Sequence, residues 1–101
     1  LCGNCNGLLK PDFVFFGEPI PQRAQARAFQ EAQLSDVFLL IGTTGEVMPA
    51  AMVPAAAKNN GAVIIEMNVE PSLYTDHITD VFLQAKATEA VTRLLEALEL
   101  V

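Results

Sequence analysis

The chain has 101 residues, 51% of them hydrophobic and 18% charged, and carries a net charge of −6. This bounds it to one domain, or part of one, with a packed core, and excludes a disordered chain. The acidic balance, with no basic arm or Lys/Arg stripe, argues against a nucleic-acid partner; the longest clearly apolar run, Val37 to Ile41, is far too short to cross a bilayer, so no membrane partner is expected.

Residues Leu1 to Gly7 (LCGNCNG) are small and polar and read as a knuckle turn holding Cys2 and Cys5. A thiol pair at this spacing serves a metal or a redox reaction. Zn²⁺ generally takes four ligands, and nothing later in the chain supplies the other two. One CxxC does not make a secreted disulfide framework, which points to a reducing, cytoplasmic setting. The chain opens on Leu1 rather than Met, directly before a cysteine, which predicts a cut through a larger protein.

Phe13 to Phe16 (FVFF) reads as a short strand between Pro11-Asp12 and Gly17. Pro21 then opens a helix through about Gln33, with Ala24, Ala28, Phe29 and Ala32 on one face. Val37 to Ile41 is a continuous apolar run ending at Gly42, the mark of a strand covered on both faces of a parallel sheet. A second helix is expected over roughly Ala50 to Asn59. Pro54 interrupts that pattern and predicts either a kink or a start near Val53. Ala62 to Met67 (AVIIEM) is the next buried strand, and the spacing makes a βαβ unit with a right-handed crossover. Val81 to Leu83 reads as a short further strand. Ala87 to Leu98 reads as a helix with Ala87, Val91, Leu94, Leu95 and Leu98 on one face. The order of elements predicts an α/β fold with a parallel sheet, and about three strands leave its faces and an edge uncovered.

Chemistry is expected where strands end. In IGTTGEVMPA, a buried strand stops at Gly42, hydroxylated residues follow, and a helix starts after Pro49. Ligands of open α/β sheets bind outside the carboxyl ends of strands. Gly42 permits close backbone approach, Thr43 and Thr44 can bond a phosphate or ribose hydroxyl, and the helix start offers N–H groups to an anion. An ordinary strand-to-helix turn has the same appearance. Asn68, just past the next strand, stands where a dinucleotide fold puts a ribose-reading side chain; with Pro71 it can equally form a plain turn.

Taken together, Cys2-x-x-Cys5, KPDFVFFGEPIP, IGTTGEVMPA, IIEMNVEPS and the closing LQAKATEAVTRLLEAL resemble, in order and spacing, the carboxyl-terminal half of the sirtuins, the NAD-dependent protein-lysine deacylases. FFGE and the GT-x-x-x-V-x-PA segment are the most specific parts. The resemblance implies part of a Rossmann-like parallel sheet (the sirtuin/DHS-like NAD-binding fold) with the edge of a zinc-ribbon module. Residues 1–10 would be the second half of that module and residues 11–101 the carboxyl-terminal part of the NAD-binding domain. Cys2 and Cys5 would match the second of two CxxC pairs on a structural Zn²⁺; a redox pair is the other reading, but no thioredoxin-like context surrounds them.

The resemblance further implies an acyl-lysine protein or peptide as partner, paired as a strand with the segment Phe13 to Glu18. Val14 would accept from the acyl-lysine N–H, Phe16 and Val47 would line the tunnel for its stem, and Gly17 and Glu18 would lie along the peptide. Core packing is the plainer reading for at least one of Phe13, Phe15 and Phe16. Gly42, Thr43 and Thr44 would contact NAD around its phosphates and adenosine ribose, Asn68 would bind that ribose's hydroxyls, and Lys86 and Ala87 would sit near the adenine. The family's reaction transfers the acyl group to ADP-ribose with release of nicotinamide. Its catalytic histidine would lie upstream of this segment, so no catalytic residue is expected here.

Departures from the family pattern are Ala85 where glycine is common, with a Cβ that threatens the adenine or the backbone, and Gly45 and Glu46 where apolar residues are common. His77, between Asp76 and Asp80, matches no family motif and reads as a surface residue, with Thr75, Asp76 and Asp80 in a solvated loop. Two rival readings are a non-catalytic NAD-binding module and another DHS-like nucleotide domain, which would need neither the cysteines nor FFGE.

Overall fold

A computed structural model describes residues 3–8, 14–15 and 17–99. It contains α1 (Gln22–Leu34), β1 (Val37–Ile41), a single 3₁₀ turn (Ala50–Met52) running into α2 (Val53–Asn59), β2 (Val63–Asn68), β3 (Val81–Gln84) and α3 (Ala87–Ala97). The three strands form one parallel sheet in the order β1-β2-β3.

The local chemistry explains the boundaries. Pro21 caps α1, and its carbonyl accepts the Gln25 N–H at 3.0 Å. Pro54 falls at the start of α2, where a missing N–H costs nothing, so the helix begins at Val53 rather than Ala50. Gly61, at φ +91, reverses the chain before β2.

Helices α1 and α2 pack together, and α2 lies on the sheet. Ala32, Leu40, Ala57, Ala62, Ile64 and Tyr74 form the core between them. Strand alternation puts Phe38 and Leu40 toward this core and leaves Val37, Leu39 and Ile41 on the other face, 54, 43 and 43% exposed. Coverage of β1 on both faces is therefore not realised in this chain. Of the apolar face expected on α3, Val91 and Leu94 are half-buried while Ala87, Leu95 and Leu98 stay exposed; the buried residue of the helix is Ala90, outside that set.

The expected strand over residues 13–16 is absent at Val14 and Phe15; Phe13 and Phe16 lie outside the described residues. A strand needs a hydrogen-bonded neighbour, and here the chain closes on itself instead. The Glu18 N–H donates to the Phe15 carbonyl at 3.0 Å, with Gly17 left-handed at φ +85.

Asp80 is exposed, as expected, but it is tied down. Its carboxylate accepts the Ile64 N–H at 2.9 Å and the Lys58 ammonium at 2.6 Å, tying the entry of β3 to β2 and α2. The Ile64 N–H first, then Lys58, hold its carboxyl below the ordinary range. Asp76 and His77 are exposed, as expected.

Candidate functional site

All three strands end at one edge of the sheet, and the loops leaving them are bonded to one another. The Gly42 N–H donates to the Met67 carbonyl at 3.0 Å, and the Ala85 N–H to the Asn68 carbonyl at 3.1 Å, so the ladder runs one step past β1 and β3. Gly42 turns out of β1 at φ +64, a conformation that favours glycine. Thr43 and Thr44 follow. The Thr43 hydroxyl accepts the Gly45 N–H at 3.2 Å, and the Thr44 carbonyl accepts the Leu73 N–H at 3.0 Å.

Asn68 is buried, and its Nδ2 donates to the Thr43 carbonyl at 3.0 Å and to Glu66 Oε2 at 2.6 Å. One side chain thus joins the loop after β1 to the end of β2. Glu66, with no exposed surface, receives three further hydrogen bonds: from the Ser72 hydroxyl at 2.5 Å, Thr75 at 2.9 Å and Thr79 at 2.8 Å. Burial pushes this carboxyl up. The donors Ser72, Asn68, Thr79 and Thr75 outweigh it and hold the group below its ordinary value of 4.5, ionised at neutral pH.

Tyr74 completes the ties. Its hydroxyl donates to the Ala51 carbonyl at 2.8 Å, and its ring lies against Gly45, where an added Cβ would come within 2.8 Å of Cε2. Gly45 itself has φ +78. The departure at this position thus makes room for the tyrosine. Burial first, and the Glu66 charge second, raise the phenol's pKa.

An open cleft of about 470 Å³ lies beside this edge, with Val14, Gly17, Glu18, Val47 and Pro49 among its walls. Val14 and Val47 are 42 and 56% exposed, and Met48 is 66% exposed.

The Sir2 family model matches residues 1–49, which take in both cysteines, the cleft-lining segment and the loop after β1. NAD-dependent protein deacylase 2 of Pyrobaculum aerophilum is 53% identical over 96 residues, 95% of this chain and 38% of that protein. A solved structure described as "Sir2-p53 peptide-NAD+" superposes with a TM-score of 0.85 at 28% identity, covering all of this chain and 42% of the other. A second, "Structure of Sir2Tm bound to a propionylated peptide", gives 0.83 at 29% identity over 96% and 40%. The chain belongs to the Sir2 family. It spans about two fifths of the length of the relatives it matches.

Within this Sir2 chain, Gly42, Thr43, Thr44 and Asn68 meet at the sheet edge, where the Asn68 amide donates to the Thr43 carbonyl, with Lys86 and Ala87 just beyond Ala85 at the same edge. Val14, Gly17, Glu18 and Val47 meet in the cleft, while Phe16 lies outside the described residues. Cys5 is an exposed free thiol; Cys2 lies outside the described residues, and among those described no group of three or more His, Cys, Asp or Glu gathers to hold a metal.

Two expectations need correction. The helix start after Pro49 has fewer free N–H groups than expected. The Ala51 and Met52 N–H groups are spent on Val47 and Pro49, the Val53 N–H on Ala50, and Pro54 has none. Ala85 does not strain the backbone: it is outside the left-handed region and its N–H extends the ladder. Sequence reasoning missed Glu66. Its signal was present, since a charged residue inside the run AVIIEM, two positions before Asn68, must share a strand face with it.

Proposed function

We propose that this chain forms the carboxyl-terminal part of an NAD-dependent protein-lysine deacylase, with residues 11–101 in the NAD-binding domain and residues 1–10 as the second half of a zinc module. The observation that carries the reading is the Asn68–Thr43 bond, which brings the two strand-end loops together beside an apolar cleft. The donor set suits NAD. Thr43 and Thr44 bring hydroxyl and backbone groups to the phosphates and ribose, Asn68 an amide to the ribose hydroxyls, and Lys86 and Ala87 flank the adenine. The cleft suits an acylated lysine, with Val14 accepting its N–H, Phe16 and Val47 against its stem, and Gly17 and Glu18 along the peptide.

These residues bind and align two substrates, so that the acyl oxygen meets the ribose carbon from which nicotinamide departs. Water then releases the lysine, and the acyl group leaves on ADP-ribose. His77, exposed on the far loop, has no part in this. Cys2 and Cys5 offer two of the four thiolates a structural Zn²⁺ takes, and a cytoplasmic setting fits Cys5 as a free thiol.

The test is turnover by the full-length protein on an acetylated or propionylated peptide. Nicotinamide and deacylated peptide should appear one for one and only with NAD, and the isolated 101 residues should be inert. Deacylation without NAD, or none at all, would remove the reading. Equimolar zinc, lost on Cys5→Ser, tests the module separately.

A further inference from the structure

We infer that Glu66 is a positioning residue for nucleotide recognition: it fixes which end of the Asn68 amide faces the ligand. The inference rests on the reading of Asn68 as the ribose-binding residue.

An asparagine amide has two ends of nearly equal shape, one donating and one accepting, and a half-turn exchanges them. Here both partners of Nδ2, the Thr43 carbonyl at 3.0 Å and Glu66 Oε2 at 2.6 Å, are acceptors without a proton to give. Rotating the amide would set Oδ1 against a carbonyl and a carboxylate together. The nitrogen is therefore held inward and both its protons are used. No described group donates to Oδ1. Among the described residues every deeply buried side-chain polar atom has a partner, so Oδ1 is reached by solvent. What this edge presents is an acceptor, which suits the donor hydrogens of ribose hydroxyls.

The Thr43 carbonyl alone is a weak lock, because it belongs to a loop. Glu66 is held from the far side by Ser72, Thr75 and Thr79, all on the connection from β2 to β3. Those three hydroxyls give it all their protons, so its carboxylate stays an acceptor toward Asn68. The strand spacing matters as well: Glu66 and Asn68 are two apart on β2 and share a face, so no loop motion separates them.

The experiment compares two ligands on the full-length protein by calorimetry: NAD, and its analogue lacking both hydroxyls on the adenosine ribose. Glu66→Gln should weaken NAD about tenfold and leave the analogue unchanged, and adding Asn68→Ala to it should cost nothing more. Equal weakening toward both ligands, or none toward NAD, would overturn the inference. If Asn68→Ala alone leaves NAD affinity unchanged, the ribose reading itself fails, and the inference falls with it. Should Glu66→Gln not fold, NMR of the ¹⁵N-labelled wild type decides. The Asn68 side-chain amide should exchange far more slowly than surface amides, and exchange at the surface rate would overturn the lock.

Discussion

Two surfaces lie side by side in this molecule and are built by opposite means. The sheet edge with Asn68 is polar and tied from within. A buried carboxylate takes four hydrogen bonds, and two loops are stitched across it. The cleft with Val14 and Val47 is apolar and exposed, and its walls are held by backbone turns, from Phe15 to Glu18 and from Val47 to Ala51. The difference teaches how each would treat a ligand. An edge preorganised by its own hydrogen bonds fits a fixed small molecule, because little ordering is left to be done on binding. An apolar trough gains affinity by being covered, which suits an extended chain whose side chains vary.

The contrast breaks most sharply at Glu66. Glu66→Ala takes the acceptor from four donors, three of them half-buried hydroxyls, and should cost about 3 kcal/mol, since each buried group left unpaired costs about 1–3 kcal/mol. Chemical denaturation reads this, and a loss under 1 kcal/mol would mean the network is ornamental. Gly45→Val comes next. Its side chain would collide with the Tyr74 ring and demand a left-handed valine, costing about 2 kcal/mol. Tyr74→Ala in the same chain should recover part of that loss, and no recovery would show that the backbone alone is at fault.

The cleft should behave oppositely. Val47→Asp removes apolar cover without touching the core, so stability should change by no more than about 0.5 kcal/mol. Affinity for an acyl-lysine peptide should nevertheless drop about tenfold; a matching fall in melting temperature would argue that Val47 is structural.

Acid acts on the buried Glu66 network and on the Asp80 tie at the entry of β3. The Glu66 and Asp80 carboxyls lie below their unfolded values, so their contribution is complete above about pH 5 and is lost as pH falls through the folded values. Stability should therefore be flat from neutrality down to about pH 5 and fall below it, and Glu66→Gln should flatten that fall. Smallest of all, Lys58→Ala should barely move the denaturation midpoint, because the pair is exposed and Asp80 keeps the Ile64 N–H.

What was legible in the sequence follows the same division. The strands at Val37–Ile41 and Val63–Asn68 showed as continuous apolar runs, the second read one residue early, the helices showed through periodicity, and the ligand loops showed because strand ends in parallel sheets are where ligands sit. Illegible were features fixed by partners far along the chain. Glu66 drew no reading because its partners Ser72, Thr75 and Thr79 lie further along the chain, and Gly45 stood as a departure until Tyr74 filled its place. Val14 and Phe15 have strand propensity, but a strand also needs a neighbour, which propensity cannot supply.

The most direct test is hydrogen exchange on the full-length protein with each ligand in turn. NAD alone should protect the amides of residues 42–44, 68 and 85–87 and leave 14–18 unchanged. Acyl-lysine peptide alone should protect 14–18 and 47. If NAD protects the cleft and the peptide protects the edge, or if neither ligand protects either surface, the assignment of the two surfaces is wrong.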